Sequence, residues 1–315
     1  MKQVPVCIFN GMLESGKTTM VRTLLENPKL TNGRKIIILV CEEGMEEYDE
    51  EELKKKNVYI RLLEDETLFT DVLFRRLNKE EKPDYVIVEY NGMWDPTRPF
   101  LVEYPKGWEI AEAMTTVDSS TFRLYQQNMR PMMAAMYRVS DMVVFNRFND
   151  DYDKISCRSV VKAQNITAQV VFEYEDGTID MNFDASPFDL SGDTVEIGDT
   201  DWGLWYFDAM ESVSKYAGKD LTALVRVAHF DRRDGKKGLI LGRIGMTCCE
   251  ADQQFLGIIC NADEDLPDDS YVRIRAKVLA VDGRMYGEDP EPYLPILQLV
   301  SWEEAETPET EVVAL

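Results

Sequence analysis

The chain has 315 residues, 44% of them hydrophobic, and a formal net charge of −23 from 58 acidic and 35 basic side chains. That length suits about two domains of ~150 residues each, and the apolar content excludes wholesale disorder. So acidic a chain is repelled by bare nucleic-acid backbone and by anionic membrane surfaces, and one histidine, His229, excludes mechanisms that need several.

No window reaches the ~18 consecutive apolar residues of a membrane-spanning helix. The amino terminus runs straight into a strand-like segment without the apolar core of a signal peptide, so a cytoplasmic protein is expected. The six cysteines are Cys7, Cys41, Cys157, Cys248, Cys249 and Cys260. In that setting they read as buried thiols or metal ligands, not as a disulfide framework.

Strand and helix signals alternate to about residue 165. Strands are predicted over 4–10, 35–40, 58–62, 85–89, 114–117 and 142–146, and helices over 17–26, 50–56 and 67–77. The alternation predicts βαβ units, hence an α/β domain with a mostly parallel, doubly wound sheet. Segments 168–173 and 178–181 read as a hairpin around Glu175-Asp176-Gly177. Between residues 165 and 214 there are 12 acidic residues and no Lys or Arg. Within that stretch 186–200 reads as a linker and 202–215 as one amphipathic helix. Beyond it, 221–230, 238–246, 254–260, 271–282 and 294–302 are five strand candidates, which predict a small all-β barrel of OB-like Greek-key type. The acidic end, with Pro308, is expected to be a disordered tail. The expected division is 1–185 α/β domain, 186–215 linker and helix, 216–302 β domain and 303–315 tail.

The strongest local signal is Gly11-Met12-Leu13-Glu14-Ser15-Gly16-Lys17-Thr18. It fits G-x4-G-K-[ST] between an apolar strand and a helix, which is the P-loop context. The glycines let backbone N–H groups turn toward phosphates, and the helix N-terminus adds partial positive charge. Gly11, Glu14, Ser15, Gly16, Lys17, Thr18 and Thr19 are therefore the candidate nucleotide-binding residues. Lys17 would reach the β- and γ-phosphates and the Thr18 hydroxyl would ligate Mg²⁺. A carboxylate facing inward would repel phosphate, so Glu14 is expected to point outward, either toward a second subunit in a homodimer or simply into solvent.

With the loop in place, residues 4–25 resemble the opening of the CobW/HypB/UreG-type GTPases, CobW-like proteins most closely. The similarity continues in order. Val40-Cys41-Glu42-Glu43-Gly44, with Asp49 beyond, is similar to the family's Asn-Glu-Phe-Gly switch. Val86-Ile87-Val88-Glu89-Tyr90-Asn91-Gly92 resembles its Walker B strand, with Glu-x-x-Gly for Asp-x-x-Gly. Thr115-Thr116-Val117-Asp118 matches the next strand, and Asn146-Arg147-Phe148-Asn149 stands where the family has its base-recognition Asn-Lys-x-Asp. The resemblance implies slow Mg²⁺-dependent GTP hydrolysis that drives a conformational switch. It further implies work in metal trafficking, with a permease or a metalloprotein as client. Lys17, Glu89 and Gly92 would be catalytic: Glu89 holding Mg²⁺ or the attacking water, Gly92 sensing the γ-phosphate. Asn146, Arg147 and Asn149 would bind the base. Glu42 and Asp49 would join Thr18 and Glu89 around Mg²⁺, or be surface acids.

The chain departs from the family pattern at three places. Asn149 replaces an Asp whose carboxylate accepts two guanine N–H groups. One lost bond in a buried site costs ~1–3 kcal/mol, so guanine preference should weaken and xanthine should compete. Leu63-Glu64-Asp65-Glu66-Thr67 stands where the family carries a Gly-Cys-x-Cys-Cys metal motif, and these acids are expected to cap the next helix. The C-terminal part, from about 213 to 302 with Gly242-Arg243-Ile244-Gly245-Met246-Thr247-Cys248-Cys249, resembles the soluble domain of YcgQ-type permease subunits. Cys248, Cys249, Cys260 and His229 are a candidate tetrahedral Zn²⁺ set, provided a turn at 247–250 aims both adjacent sulfurs the same way. The other reading of those cysteines is inert core thiols.

Overall fold

The computed structural model describes residues 3–42, 44, 48–183, 185–232, 235, 237–246, 253–283 and 293–314. Contacts divide the chain into two units, Met1–Lys154 with Ala168–Phe183, and Ile155–Thr167 with Asp184–Leu315.

In the first unit, β1 (Val4–Asn10), β2 (Ile36–Val40), β3 (Val58–Leu62), β4 (Tyr85–Glu89), β5 (Trp108–Asp118), β6 (Met142–Phe148), β7 (Gln169–Tyr174) and β8 (Ile179–Asp180) form one sheet in the order β3-β2-β4-β1-β5-β6-β7-β8. All pairings are parallel except the β7–β8 hairpin, whose turn carries Gly177 at φ 83°. The helices between strands are α1 (Lys17–Leu25), α2 (Pro28–Thr31), α3 (Glu50–Lys55), α4 (Asp71–Glu80), α5 (Arg98–Leu101), α6 (Phe122–Asn128) and α7 (Arg130–Arg138).

Side-chain alternation explains the layers. On β1, Val6 and Ile8 enter one apolar cluster with Leu39, Phe69, Phe74 and Val88. Cys7 and Phe9 enter another with Val21, Leu25, Ile38 and Ile87. Covered on both faces, the central strands are near-continuous apolar runs, such as Ile36–Val40 with every residue buried. This order places β1 between β4 and β5, so the C-terminal ends of β4, β1, β5 and β6 meet along one sheet edge, the usual ligand edge of such sheets.

The crossover helix α8 (Lys154–Lys162) joins β6 to β7 in sequence, yet its residues from Ile155 onward belong to the second unit. The expected boundary at 185 therefore misses this helix. Arg158 pairs with Asp208 at 3.4 Å and with Glu211, and Lys162 pairs with Glu211 at 2.6 Å.

The second unit holds β9 (Thr194–Glu196), α9 (Trp202–Glu211), β10 (Asp220–Asp231), β11 (Lys237–Met246), β12 (Gln254–Asn261), β13 (Tyr271–Asp282), β14 (Tyr293–Ala305) and β15 (Val312–Ala314). The pairings β10–β11–β12–β14–β13–β10 close a five-stranded barrel, antiparallel but for β12–β14. This is the expected OB-like ring. Paired Gly242 and Gly257 let two strands approach closely: a Cβ on Gly242 would lie 2.2 Å from the Leu256 carbonyl. Trp202 and Trp205 of α9 are buried in the barrel's core cluster, and Trp202 Nε1 donates to Leu256 O at 2.8 Å.

Three expectations are corrected here. The 186–200 stretch is not all linker, because β9 adds to β10 in parallel and buries Val195. The 202–215 helix ends at Glu211 and continues as a 3₁₀ turn over Val213–Lys215. The tail is ordered: β14 runs to Ala305, and β15 pairs with β11 in parallel with Val313 buried.

Candidate functional site

The turn from β1 into α1 needs left-handed backbone. Gly16 has φ 95° at the N-cap of α1, and a Cβ there would lie 2.4 Å from Asn146 Nδ2. Glu14 holds φ 64° at the exposed tip of the loop. Gly92, after β4, rests on the loop's backbone: a Cβ would fall 2.3 Å from Gly11 O and 2.8 Å from Met12 Cα. Any side chain at 92 would push the two loops apart.

Lys17 is buried, donates to Gly11 O at 2.7 Å and Met12 O at 2.9 Å, and pairs with Glu42. Thr18 donates its hydroxyl to Glu89 Oε1, and Tyr48 donates to Glu89 Oε2 at 2.6 Å, so both oxygens of this buried carboxylate are engaged. Ser15 Oγ meets Thr116 Oγ1 at 2.7 Å. A cleft lined by Glu14, Gly16, Lys17, Thr18, Glu42 and Glu89 lies along this arrangement.

On the far side, two successive residues of β6 hold two successive carbonyls of the loop. Asn146 Nδ2 donates to Ser15 O at 2.6 Å, and Arg147 Nη1 donates to Glu14 O at 3.1 Å. Arg147, at φ 50°, also pairs with Asp118. Partial burial opposes ionisation of Asp118, but the Ser120 hydroxyl and amide and the Arg147 guanidinium outweigh it and hold the carboxyl below its usual range. Asn149 sits in the loop after β6, where its Oδ1 accepts the Asp151 N–H at 3.0 Å.

The structure thus gathers Gly11, Ser15, Gly16, Lys17, Thr18, Glu42, Glu89, Gly92, Asn146 and Arg147 at one sheet edge. Thr19, exposed on α1 with its carbonyl bonded to Thr23, and Glu14 also line the cleft. Asp49 is not brought in: it caps α3, accepting Glu52 N–H at 3.0 Å. Asp65 caps the short 3₁₀ turn over Glu66–Leu68, while Glu66 accepts from Asp95 N at 3.1 Å. Sequence reasoning missed Tyr48, the one aromatic side chain in an acidic run, and gave Asp118 no role.

The expected Zn²⁺ set does not assemble from its described members. Cys248 and Cys249, with the turn at 247–250, lie outside the described residues. Cys260 and His229 share one row across the barrel wall, each paired to Leu239, which stands between them. His229 Nδ1 and Nε2 meet Asp268 and Asp265 at 2.9 and 3.0 Å. Burial pushes the Cys260 thiol up to about 12, as for a core thiol. Among the described residues no group of three His, Cys, Asp or Glu could hold a metal ion, and no helix is long and apolar enough to cross a membrane.

Residues 5–172, more than half of the chain, match the CobW/HypB/UreG nucleotide-binding domain, and residues 180–313 match the DUF1980 C-terminal domain. A zinc chaperone CobW from Sinorhizobium sp. is 25% identical over 174 residues, which cover 50% of this chain and 43% of that protein. The match spans less than half the length of that relative. Among solved structures, Zn(II)-bound YjiA GTPase from E. coli has 17% identity and a TM-score of 0.42, covering 86% of this chain and 92% of that one. Hydrogenase maturation factor HypB from Archaeoglobus fulgidus has 16% identity and a TM-score of 0.40, covering 54% and 80%. The chain belongs to the CobW/HypB/UreG family.

Proposed function

We propose that this member of the CobW/HypB/UreG family is a GTPase of low intrinsic turnover that uses nucleotide binding as a switch in metal handling. The observation that carries the reading is the clasped phosphate loop. Gly16 and Gly92 allow its shape, Asn146 and Arg147 hold its outer carbonyls, and Lys17 with Thr18 stand at the head of α1. Lys17 would bind the β- and γ-phosphates. Glu89, held from both sides, would orient the attacking water, and Gly92, packed on the loop's backbone, would offer its N–H to the γ-phosphate.

Mg²⁺ fits the residues present. Thr18 and Glu89 offer hard oxygens at the loop. The cleft lining carries Glu14, Glu42 and Glu89 against Lys17 and Arg147, so a triphosphate gains from an accompanying cation. When bound, Mg²⁺ would draw charge off the phosphate oxygens as the terminal bond breaks. Asp49, committed to its helix cap, is left out of that set.

Low turnover is what family membership leads us to expect, and in the nucleotide-free site the chain's own carboxylates engage the working groups, Lys17 by Glu42 and Thr18 by Glu89. The metal-handling role is supported by the zinc chaperone relative. The client would be a metalloprotein or a permease, and hydrolysis would reset its capture.

Asn149 tunes the base. Its Oδ1 takes the Asp151 N–H, which directs the amide NH₂ the other way. A donor there suits the C2 carbonyl of xanthine better than the C2 amino group of guanine. The test is equilibrium binding of fluorescent guanosine and xanthosine triphosphates. Lys17→Ala should abolish binding of both, and the two bases should differ by less than about ten-fold, since one hydrogen bond is exchanged. Unchanged binding by Lys17→Ala would sink the assignment.

A further inference from the structure

The cation at the centre of the cleft is already neutralised by the chain. Lys17 is 3% exposed and pairs with Glu42, whose side chain is 10% exposed. Two of the three Lys17 N–H groups are directed to Gly11 O and Met12 O, and Glu42 Oε1 lies off the direction of an aligned hydrogen bond. The backbone just before Glu42 is anchored. Cys41, beside it, donates its N–H to Glu89 O at 2.9 Å, which fixes this segment to β4. Further along, a Cβ on Gly44 would lie 3.2 Å from Glu14 Oε1, and Tyr48 is bonded to Glu89. Glu42 and Gly44 both line the cleft.

A phosphate oxygen and the Glu42 carboxylate need the same positive charge. A phosphate can also accept aligned N–H bonds from the loop, which Glu42 at its present place does not. We propose that Glu42 is an affinity- and specificity-setting residue, an internal anionic competitor that occupies Lys17 until the β- and γ-phosphates of a nucleotide displace it. The proposal rests on the nucleotide-binding reading above and changes the expected part of Glu42 from Mg²⁺ ligand to competitor. A carboxylate tethered at contact distance competes at high effective concentration. The apparent affinity for nucleotide is then the intrinsic one reduced by the fraction of molecules in which Lys17 is released. Only ligands whose β- and γ-phosphates reach Lys17 must displace the carboxylate, so the pair lowers the affinity for triphosphates and largely spares monophosphates.

The experiment is binding of a fluorescent GTP analogue to the full chain in excess chelator, where no Mg²⁺ is present for Glu42 to ligate. Glu42→Gln keeps the volume and removes the charge, and Glu42→Ala removes the side chain. Both should bind about ten-fold more tightly than the parent, with the gain smaller for the monophosphate. Equal or weaker binding by both folded variants, with the parent still binding, would overturn the competitor. No binding by the parent or by either variant, with excess Mg²⁺ as well as without it, would instead overturn the nucleotide-binding reading on which it rests.

Discussion

Glu89 is the side chain around which the site is set. It is buried, Thr18 donates to one oxygen and Tyr48 to the other. Its orientation toward the loop is therefore fixed by two donors from different segments. Tyr48→Phe deletes only a hydroxyl but leaves a buried carboxylate oxygen unsatisfied, a loss of ~1–3 kcal/mol. Nucleotide affinity through Lys17 should survive. Steady-state turnover should fall about ten-fold or more with KM unchanged, because an orienting contact and not a binding one is removed. A variant with raised KM and normal turnover would place Tyr48 in binding instead. Sequence alone could not supply this residue. Gly11 to Thr18 is legible because strand, loop and helix start are consecutive in the chain. Tyr48 reaches Glu89 only because β2 and β4 are neighbours in the sheet, and nothing local records that. Asp49 misleads for the converse reason, since a carboxylate ahead of a helix can cap it as readily as hold a cation.

Among the elements, strands with an alternating buried face were legible and short edge strands were not. β13 alternates buried and exposed residues along most of its length, and β10 to β14 lie within a few residues of expectation. β9 and β15 have three residues each inside acidic, proline-bearing sequence, so neither composition nor period could announce them. What orders β15 is distant in sequence. Arg243 is fully buried on β11 and donates to Asp199 O at 2.7 Å, to Thr310 O, and to Glu311 O at 3.4 Å. Its guanidinium also lies 5.6 Å from the centre of the Tyr271 ring. Burial lowers its affinity for a proton, and nearby Tyr271, Asp199 and Glu311 counter that. The planar fork suits several carbonyls at once, which Lys could not match. Arg243→Met should free these carbonyls and release the strand. Hydrogen exchange over 310–314 should rise to the level of an unprotected segment, and the β unit should lose ~3 kcal/mol or more, as buried partners are left unpaired. Retained protection would show that β15 is held by Val313 and its ladder alone.

Across the whole chain, the unit boundary does not follow the order of the sequence. A crossover helix is required between the parallel strands β6 and β7, and any reading by composition assigns it to the sheet it connects. Here α8 belongs with α9 and the barrel, because its polar face carries the charges that α9 lacks. Asp208 of α9 is buried and receives Arg158 at 3.4 Å, Lys215 at 3.0 Å and the Tyr216 hydroxyl. Glu211 has Arg158 and Lys162 as its cations. A chain cut at residue 185 would strand Glu211 without either cation and Asp208 without one of its three partners. The same bonds can be removed without a cut. Arg158→Met keeps the apolar stem, removes the guanidinium, and leaves two carboxylates competing for Lys162 and Lys215. Breaking such a buried pair costs ~3–5 kcal/mol. Calorimetry should resolve the second unit's transition moving down by several degrees in the variant, with the nucleotide-binding unit's own transition little changed. A variant that melts like the parent would return α8 to the first unit and make 185 a workable boundary after all.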